Sequence, residues 1–288
     1  MGLVLAILSA SAPAAQAPVA TPPVHGAAAT TLVVCAPGHP GTTKEAQPTM
    51  DAFAAAVTRA ASGKPGEMAA VYHETLDAGR ERLGQPDAGL ALVTLPFYLT
   101  ERKRLGLTPR LQVRLDPGGS ESWSMVARKG RVRSPGDLNG WEILGAVGYS
   151  PAFVRGPVLG RWGTLPAGAR IAYDAAPISS LRRAAEGEHA AVILDTTGVA
   201  ALPTLQFAAD LEVVTRSAQL PASLLCTVAN HLPPAAADRL VDALGQMHRG
   251  PEGAAALKTI RLQRFEPLDR KALEAARQEF DRAALSGR

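Results

Sequence analysis

Gly187-Glu-His-Ala-Ala-Val-Ile-Leu-Asp-Thr-Thr-Gly198 decides the fold, because Gly84-Gln-Pro-Asp-Ala-Gly-Leu-Ala-Leu-Val-Thr-Leu-Pro-Phe-Tyr98 has the same layout. In each, a glycine-containing turn precedes a short apolar run, Ala190 to Leu194 or Gly89 to Val93, that reads as a buried strand. Each strand ends in hydroxyl or acidic residues, Asp195, Thr196 and Thr197 in one and Thr94 in the other, just before a predicted helix. Two such strand ends predict two α/β lobes, each aiming a helix N-terminus outward. Helix N-termini carry unsatisfied N–H groups and a partial positive charge, so they favour anions. The layout is that of a protein that clamps a ligand.

Outward from these two stretches, strands and helices alternate. Thr31 to Cys35 reads as a buried strand followed by the tight loop Ala36-Pro-Gly-His-Pro-Gly41. Pro48 to Ala61 is predicted helical, with Met50, Phe53, Val57 and Ala61 on one face. Strand Met68 to Tyr72, helix Thr75 to Leu83, helix Pro96 to Leu105 and strand Arg110 to Leu115 complete a first series. The alternation predicts a mostly parallel, doubly wound sheet. Asp116-Pro-Gly-Gly-Ser120 breaks the pattern and is expected to change lobe.

The second series runs through strands Trp123 to Ala127, Glu142 to Val147, Arg170 to Tyr173 and Ala190 to Leu194, with helices Ala152 to Leu159 and Ile178 to Glu186. Leu211 to Thr215 and Ala222 to Val228 are expected to carry the chain back, and helices Pro233 to Met247 and Leu268 to Leu285 to close the first lobe. The expected division is a leader over 1–29, lobe 1 over 30–118 plus 216–288, and lobe 2 over 119–215. Two crossings between lobes permit a hinge motion around a cleft.

With 288 residues, 47% of them apolar, the chain has ample material for such a core. Its net charge of +4 is spread out, and no basic run with interleaved aromatics occurs, which excludes nucleic acid as the expected partner. The first charged residue is Lys44; before it, Leu3 to Leu8 has the character of a signal-peptide h-region rather than the roughly 20 residues of a membrane span. Ala15-Gln16-Ala17 and Ala27-Ala28-Ala29 are the candidate cleavage patterns, although no Lys or Arg precedes the apolar run. Export to the periplasm is therefore expected. Cys35 and Cys226, the only cysteines, both sit in apolar strand-like runs and read as small buried residues rather than a disulfide framework.

The second half carries a resemblance. Ser124-Met-Val-Ala-Arg-Lys-Gly130, Ser134-Pro-Gly-Asp-Leu-Asn-Gly140, the strand to Gly148-Tyr-Ser150, Ala184 to Asp195, Val214-Thr-Arg-Ser217 and Phe265-Glu-Pro-Leu-Asp269 together resemble periplasmic substrate-binding proteins of ABC importers, in the phosphonate-binding-like branch. The resemblance spans residues 31 to 285. It implies the type II periplasmic-binding-protein fold, an α/β architecture of two hinged lobes with the ligand in the cleft. It further implies a monomer, an ABC permease in the inner membrane as partner, and no cofactor. The family's serine-rich phosphonate-holding cluster falls at Gly148-Tyr-Ser-Pro151, which keeps one of those serines, and Asp195 matches an acidic position that faces an amine on the ligand.

The candidate ligand residues each have a purely structural alternative. Ser150 precedes Pro151 and suits a helix N-cap as well as a ligand contact. Tyr149 points to the cleft or packs at the lobe edge. Asp195, Thr196 and Thr197 lie at a strand C-terminus, where ligands collect in open α/β sheets, but one of them must cap the next helix. Thr94 holds the equivalent place in the first lobe, and Tyr98, a turn further on, lines the cleft or packs. His39 sits in a Pro/Gly loop and either donates to an anion or is solvated; His73 is similar. Arg155 and Arg161 are anion clamps only if buried. No metal-ligand spacing, nucleophile elbow, P-loop or dinucleotide fingerprint occurs, so neither a catalytic site nor a metal is expected. The expected function is capture of a small phosphonate-like or other oxyanion by hinge closure. The rivals are an apolar or lipid ligand on the same fold, flanked by Leu95, Phe97 and Phe153, and a ligand sensor for a membrane receptor. An oxyanion cleft requires several converging N–H donors; an apolar one lacks buried Arg or Lys.

Overall fold

The computed structural model describes residues 30–39, 41–115 and 121–286; the expected leader lies outside the described residues. Thr30–Cys35 (β1) is buried along nearly its whole length, as its apolar and β-branched composition requires. Helix α1, Thr43–Ala60, starts before Pro48, where the apolar periodicity begins. A capping box sets that start: the Thr42 hydroxyl accepts the Glu45 N–H, and the Glu45 carboxylate accepts the Thr42 N–H at 3.0 Å. Pro48 therefore lies inside the helix and forfeits one ladder hydrogen bond near its beginning.

The chain continues through β2 (Met68–His73), α2 (Leu76–Leu83), β3 (Leu90–Thr94), α3 (Leu95–Glu101), β4 (Leu107–Leu115), β5 (Ser124–Arg128) and β6 (Glu142–Gly145). Then come α4 (Pro151–Phe153), continued by one π-turn over Val154–Val158, β7 (Arg170–Tyr173), α5 (Pro177–Glu186), β8 (Ala190–Leu194), α6 (Thr196–Ala201) and β9 (Leu211–Arg216). The last part holds β10 (Ser223–Val228), α7 (Pro234–Gln246), α8 (Pro251–Thr259), β11 (Leu262–Glu266) and α9 (Arg270–Ser286). Helix α8 and strand β11 have no counterpart in the series read from the sequence. Their apolar residues are too few to give a period: α8 buries only Leu257, and β11 only Leu262 and Phe265.

Two sheets result, six strands in the order β11-β4-β10-β3-β1-β2 and five in the order β7-β6-β8-β5-β9. The fold is the expected two-lobe α/β architecture. Each sheet is mixed rather than mostly parallel. The trios β2-β1-β3 and β7-β6-β8 pair in parallel, while β10, β4, β11, β5 and β9 add on antiparallel. The antiparallel strands include those that carry the chain between sheets, which must run back against the parallel trio. The crossing segments meet at an antiparallel bridge, with Glu121 N–H to Leu220 O at 2.9 Å and the reciprocal bond at 2.8 Å.

One core cluster packs sheet one against α1, α7 and α8 through Leu32, Phe53, Val57, Leu225, Leu244 and Phe265. A larger one runs continuously from sheet one to sheet two through Phe97, Trp123, Phe153, Leu220 and Phe280. Burial of each such aromatic ring contributes about 2–3 kcal/mol. Both free cysteines are buried, as expected of small core residues. Helix α9 lies over the junction. Gly156 in the π-turn lets its backbone approach so closely that a Cβ there would stand 2.3 Å from Glu279 O. Toward sheet one, Arg102 after α3 holds both oxygens of Asp281 at 2.7 Å, and Arg277 donates to the buried Tyr98 hydroxyl.

Candidate functional site

A cavity of about 520 Å³ lies between the two sheets, within the usual range for small-molecule sites. Its walls are strand C-terminal ends, where ligands settle in open α/β sheets. Sheet one supplies Pro37 to His39 after β1, Glu74 and Thr75 after β2, and Thr94 and Pro96 after β3. Sheet two supplies Ala146, Val147 and Tyr149 after β6, Tyr173 after β7, and Ile193 to Asp195 at the end of β8. The floor comes from the crossing segments, with Leu115, Glu121, Trp123, Ala222 and Ser223. The walls touch. Gly38, with φ at +84°, lies so near Ala146 that an added Cβ would meet the Ala146 Cβ at 2.7 Å, and Thr94 Oγ1 lies 3.2 Å from the Tyr149 hydroxyl. Only glycine meets both demands at position 38.

The helix starts around this cavity are already occupied. Glu74 Oε2 accepts the Thr43 N–H and hydroxyl at the start of α1, at 3.1 and 3.0 Å. At α2 the Thr75 hydroxyl takes the Ala78 N–H. At α6, Asp195 Oδ1 accepts the Gly198 N–H at 2.7 Å and Glu121 Oε1 accepts the Thr196 N–H at 2.8 Å. Leu95 N–H of α3 bonds to Ala222 O, and Pro96, Pro151 and Pro177 have no N–H to offer. The protein's own side chains thus take up much of the donor capacity that the sequence offered to an anion. Three carboxylates, from Glu74, Glu121 and Asp195, line the cavity; among the described residues no Lys or Arg does.

Residues 170–273 match the family described as ABC transporter, phosphonate, periplasmic substrate-binding protein. The match covers the later part of sheet two and most of the returning segment of the chain. That family is one of periplasmic transport binding proteins. No curated protein matches the sequence. Among solved structures, XAC2383 from Xanthomonas citri, bound to chloride ion, aligns with a TM-score of 0.68 at 16% identity, over 89% of this chain and 99% of that one. A binding protein component of an ABC phosphonate transporter from Pseudomonas aeruginosa aligns at 0.61 and 14%, over 90% and 89%. PhnD1 from Prochlorococcus marinus, in complex with methylphosphonate, aligns at 0.58 and 12%, over 90% and 100%. At these identities the likeness is one of fold, the two-lobe periplasmic binding protein.

Of the candidate residues, His39, Thr94, Tyr149 and Asp195 line the cavity. Four other candidate residues do not. Ser150 is 2% exposed and faces Thr100, its Oγ 2.8 Å from the threonine hydroxyl. Tyr98 is buried on the side of α3 that meets Arg277. Thr196 and Thr197 are exposed, and the Thr196 hydroxyl turns toward Ser122. Each helical residue rotates the side chain by about 100°, so only the residue at the strand end, Asp195, stays aimed at the cleft. Arg155 reaches the Ala169 carbonyl and Arg161 pairs with Glu279, so neither is an anion clamp here.

Glu74, Glu121, Trp123 and Tyr173 were not singled out in the sequence. Glu74 and Tyr173 obey the same strand-end rule that selected Thr94 and Asp195, applied to β2 and β7. Glu121 and Trp123 sit beside the lobe-changing break, whose composition marks a turn and says nothing of what faces inward.

His39 keeps solvent contact at the cavity mouth, yet protein atoms crowd around it; that crowding lowers its pKa, and Asp195 and then Glu121 pull it back up. A neutral imidazole offers one donor and one acceptor. Burial pushes the Tyr149 phenol well above its usual range, so it stays a neutral hydroxyl. Tyr72, whose hydroxyl donates to His39 O, is pushed up to about 12 by burial first and Glu74 second. Burial also pushes the Cys226 thiol up, which removes it as a nucleophile. Among the described residues no three His, Cys, Asp or Glu side chains converge to hold a metal ion.

Proposed function

We propose that this protein is the solute-binding component of an ABC transporter, taking one small molecule into the cavity between its sheets and closing on it. The observation that carries the proposal is the cavity itself, about 520 Å³ and walled by strand ends of both sheets and by the two crossing segments. The family match over residues 170–273 supports the transport role. Lobe 1 is residues 30–118 plus 216–288 and lobe 2 is 119–215. Ligand contacts from both lobes favour the closed arrangement, and the paired strands at Glu121 and Leu220 form the hinge. The protein works as a periplasmic monomer and presents its closed form to a permease in the inner membrane. A phosphonate or other oxyanion draws its support from the family match and from the methylphosphonate complex of the Prochlorococcus protein. A ligand with an apolar body draws its support from this cavity, which Leu115, Trp123, Val147 and Ile193 line.

The test is a thermal-shift screen of a solute library on wild type and Ser223→Trp, whose indole fills the cavity from β10. A solute that raises Tm in wild type and not in the variant is expected. Shifts of equal size in both proteins would place binding elsewhere and refute the proposal.

A further inference from the structure

We infer that the cleft selects an organic cation, with the Glu121 carboxylate as its counter-charge. The inference rests on the solute-binding reading above and departs from the oxyanion ligand of the family. Glu121 is 7% exposed. Its Oε1 is held by the Ser122 and Thr196 N–H groups at 3.0 and 2.8 Å, while Oε2 receives no hydrogen bond from the described residues. The residue lines the cavity. A carboxylate this deeply buried is costly without a positive partner.

Among the described residues no Lys or Arg pairs with Glu121, and burial pushes His39, which feels Asp195 and Glu121, toward its neutral form. None of the ion pairs among the described residues includes Glu74, Glu121 or Asp195. Glu101, the other deeply buried carboxylate, shows the contrast: it is held by both Arg80 and Arg104. The chain carries 30 Lys and Arg against 26 Asp and Glu, so the exclusion of cations from the cavity wall runs against its composition.

Two further features specify the kind of cation. The acids are spread around the wall and do not converge as metal ligands, which suits a molecule of several heavy atoms rather than an ion. Trp123, Tyr149 and Tyr173 also line the cavity, and aromatic faces attract ammonium groups, quaternary ones above all.

Isothermal titration of the full chain with choline, putrescine, methylphosphonate and inorganic phosphate tests this. Choline or putrescine binding with neither anion binding is expected. Glu121→Gln, which keeps the Oε1 contacts, is expected to weaken that binding by roughly tenfold or more. Tyr173→Ala, a half-exposed position, is expected to weaken it severalfold with unchanged Tm and serves if Glu121→Gln does not fold. Binding of an anion alone overturns the inference and leaves the solute-binding reading in place. Cation binding indifferent to both substitutions also overturns it. If none of the four probes binds, the inference falls, and the library screen with Ser223→Trp decides separately whether the cleft binds solutes.

Discussion

The cleft and the α9 junction both join the two sheets, and they are built in opposite ways. At the junction, charge is matched inside the protein. Arg102 grips Asp281 with two bonds and lies over the Phe280 ring, and Arg277 serves the Tyr98 hydroxyl. In the cleft, carboxylates have only backbone and hydroxyl donors, and the direct contacts across it are few, chiefly Gly38 against Ala146 and Thr94 with Tyr149. The difference teaches where the molecule is meant to stay joined and where it leaves room for something else. The junction pairs its charges within the protein, Arg277 Nε apart, whereas the cleft carboxylates have no Lys or Arg partner among the described residues.

The sharpest way to break that comparison is at Gly156. Any Cβ there meets backbone rather than a pliable side chain, so Gly156→Leu is expected to prise α9 off the π-turn and lose about 3 kcal/mol in urea unfolding. Next is Tyr98→Phe, which strips Arg277 of its buried acceptor while the Arg277 Nε already lacks one. It is expected to cost about 1–3 kcal/mol of stability with ligand affinity unchanged, because Tyr98 belongs to the junction. Reduced affinity at unchanged stability would instead put Tyr98 in the cleft.

Smaller effects come from the exposed pairs that flank each sheet. Arg82 holds the Asp87 carboxyl below its usual range in sheet one, and Arg170 and then Arg183 do so for Glu142 in sheet two. A lowered folded-state pKa means stability that is present above the ordinary carboxylate range and lost as pH falls through the folded value. Asp87→Asn and Glu142→Gln are each expected to flatten the acid limb of a Tm-against-pH curve by less than about 1 kcal/mol. The smallest effect is chemical: neither Cys35 nor Cys226 is expected to react with a thiol reagent in the folded protein, since burial raises both thiols. Fast labelling of either would contradict the packed junction and core around them.

Much of the fold was legible because β3 and β8, each within a parallel trio, are apolar runs preceded by glycine-containing turns, and burial on both faces demands that composition. The antiparallel additions were not, because strand direction is set by where the chain re-enters a sheet, which no single run encodes. Four of the candidate residues line the cavity: Thr94 and Asp195 at strand ends, and His39 and Tyr149 in the loops after β1 and β6. Thr196, Thr197, Tyr98 and Ser150 lie off the cavity wall, because helical rotation and capping depend on neighbours distant in sequence. The Thr196 N–H is claimed by Glu121, 75 positions away. The charge of the cavity wall was the least legible part. Helix N-termini advertise anion binding in any sequence, and only the folded chain reveals which of its own carboxylates has arrived there first.

The most direct test is native mass spectrometry of the wild type and of Ser223→Trp, each isolated from the host periplasm and then extracted under denaturing conditions. The expected result is a single small adduct with a basic nitrogen on the wild type, absent from the variant with the filled cleft. The same adduct on both proteins would contradict the account.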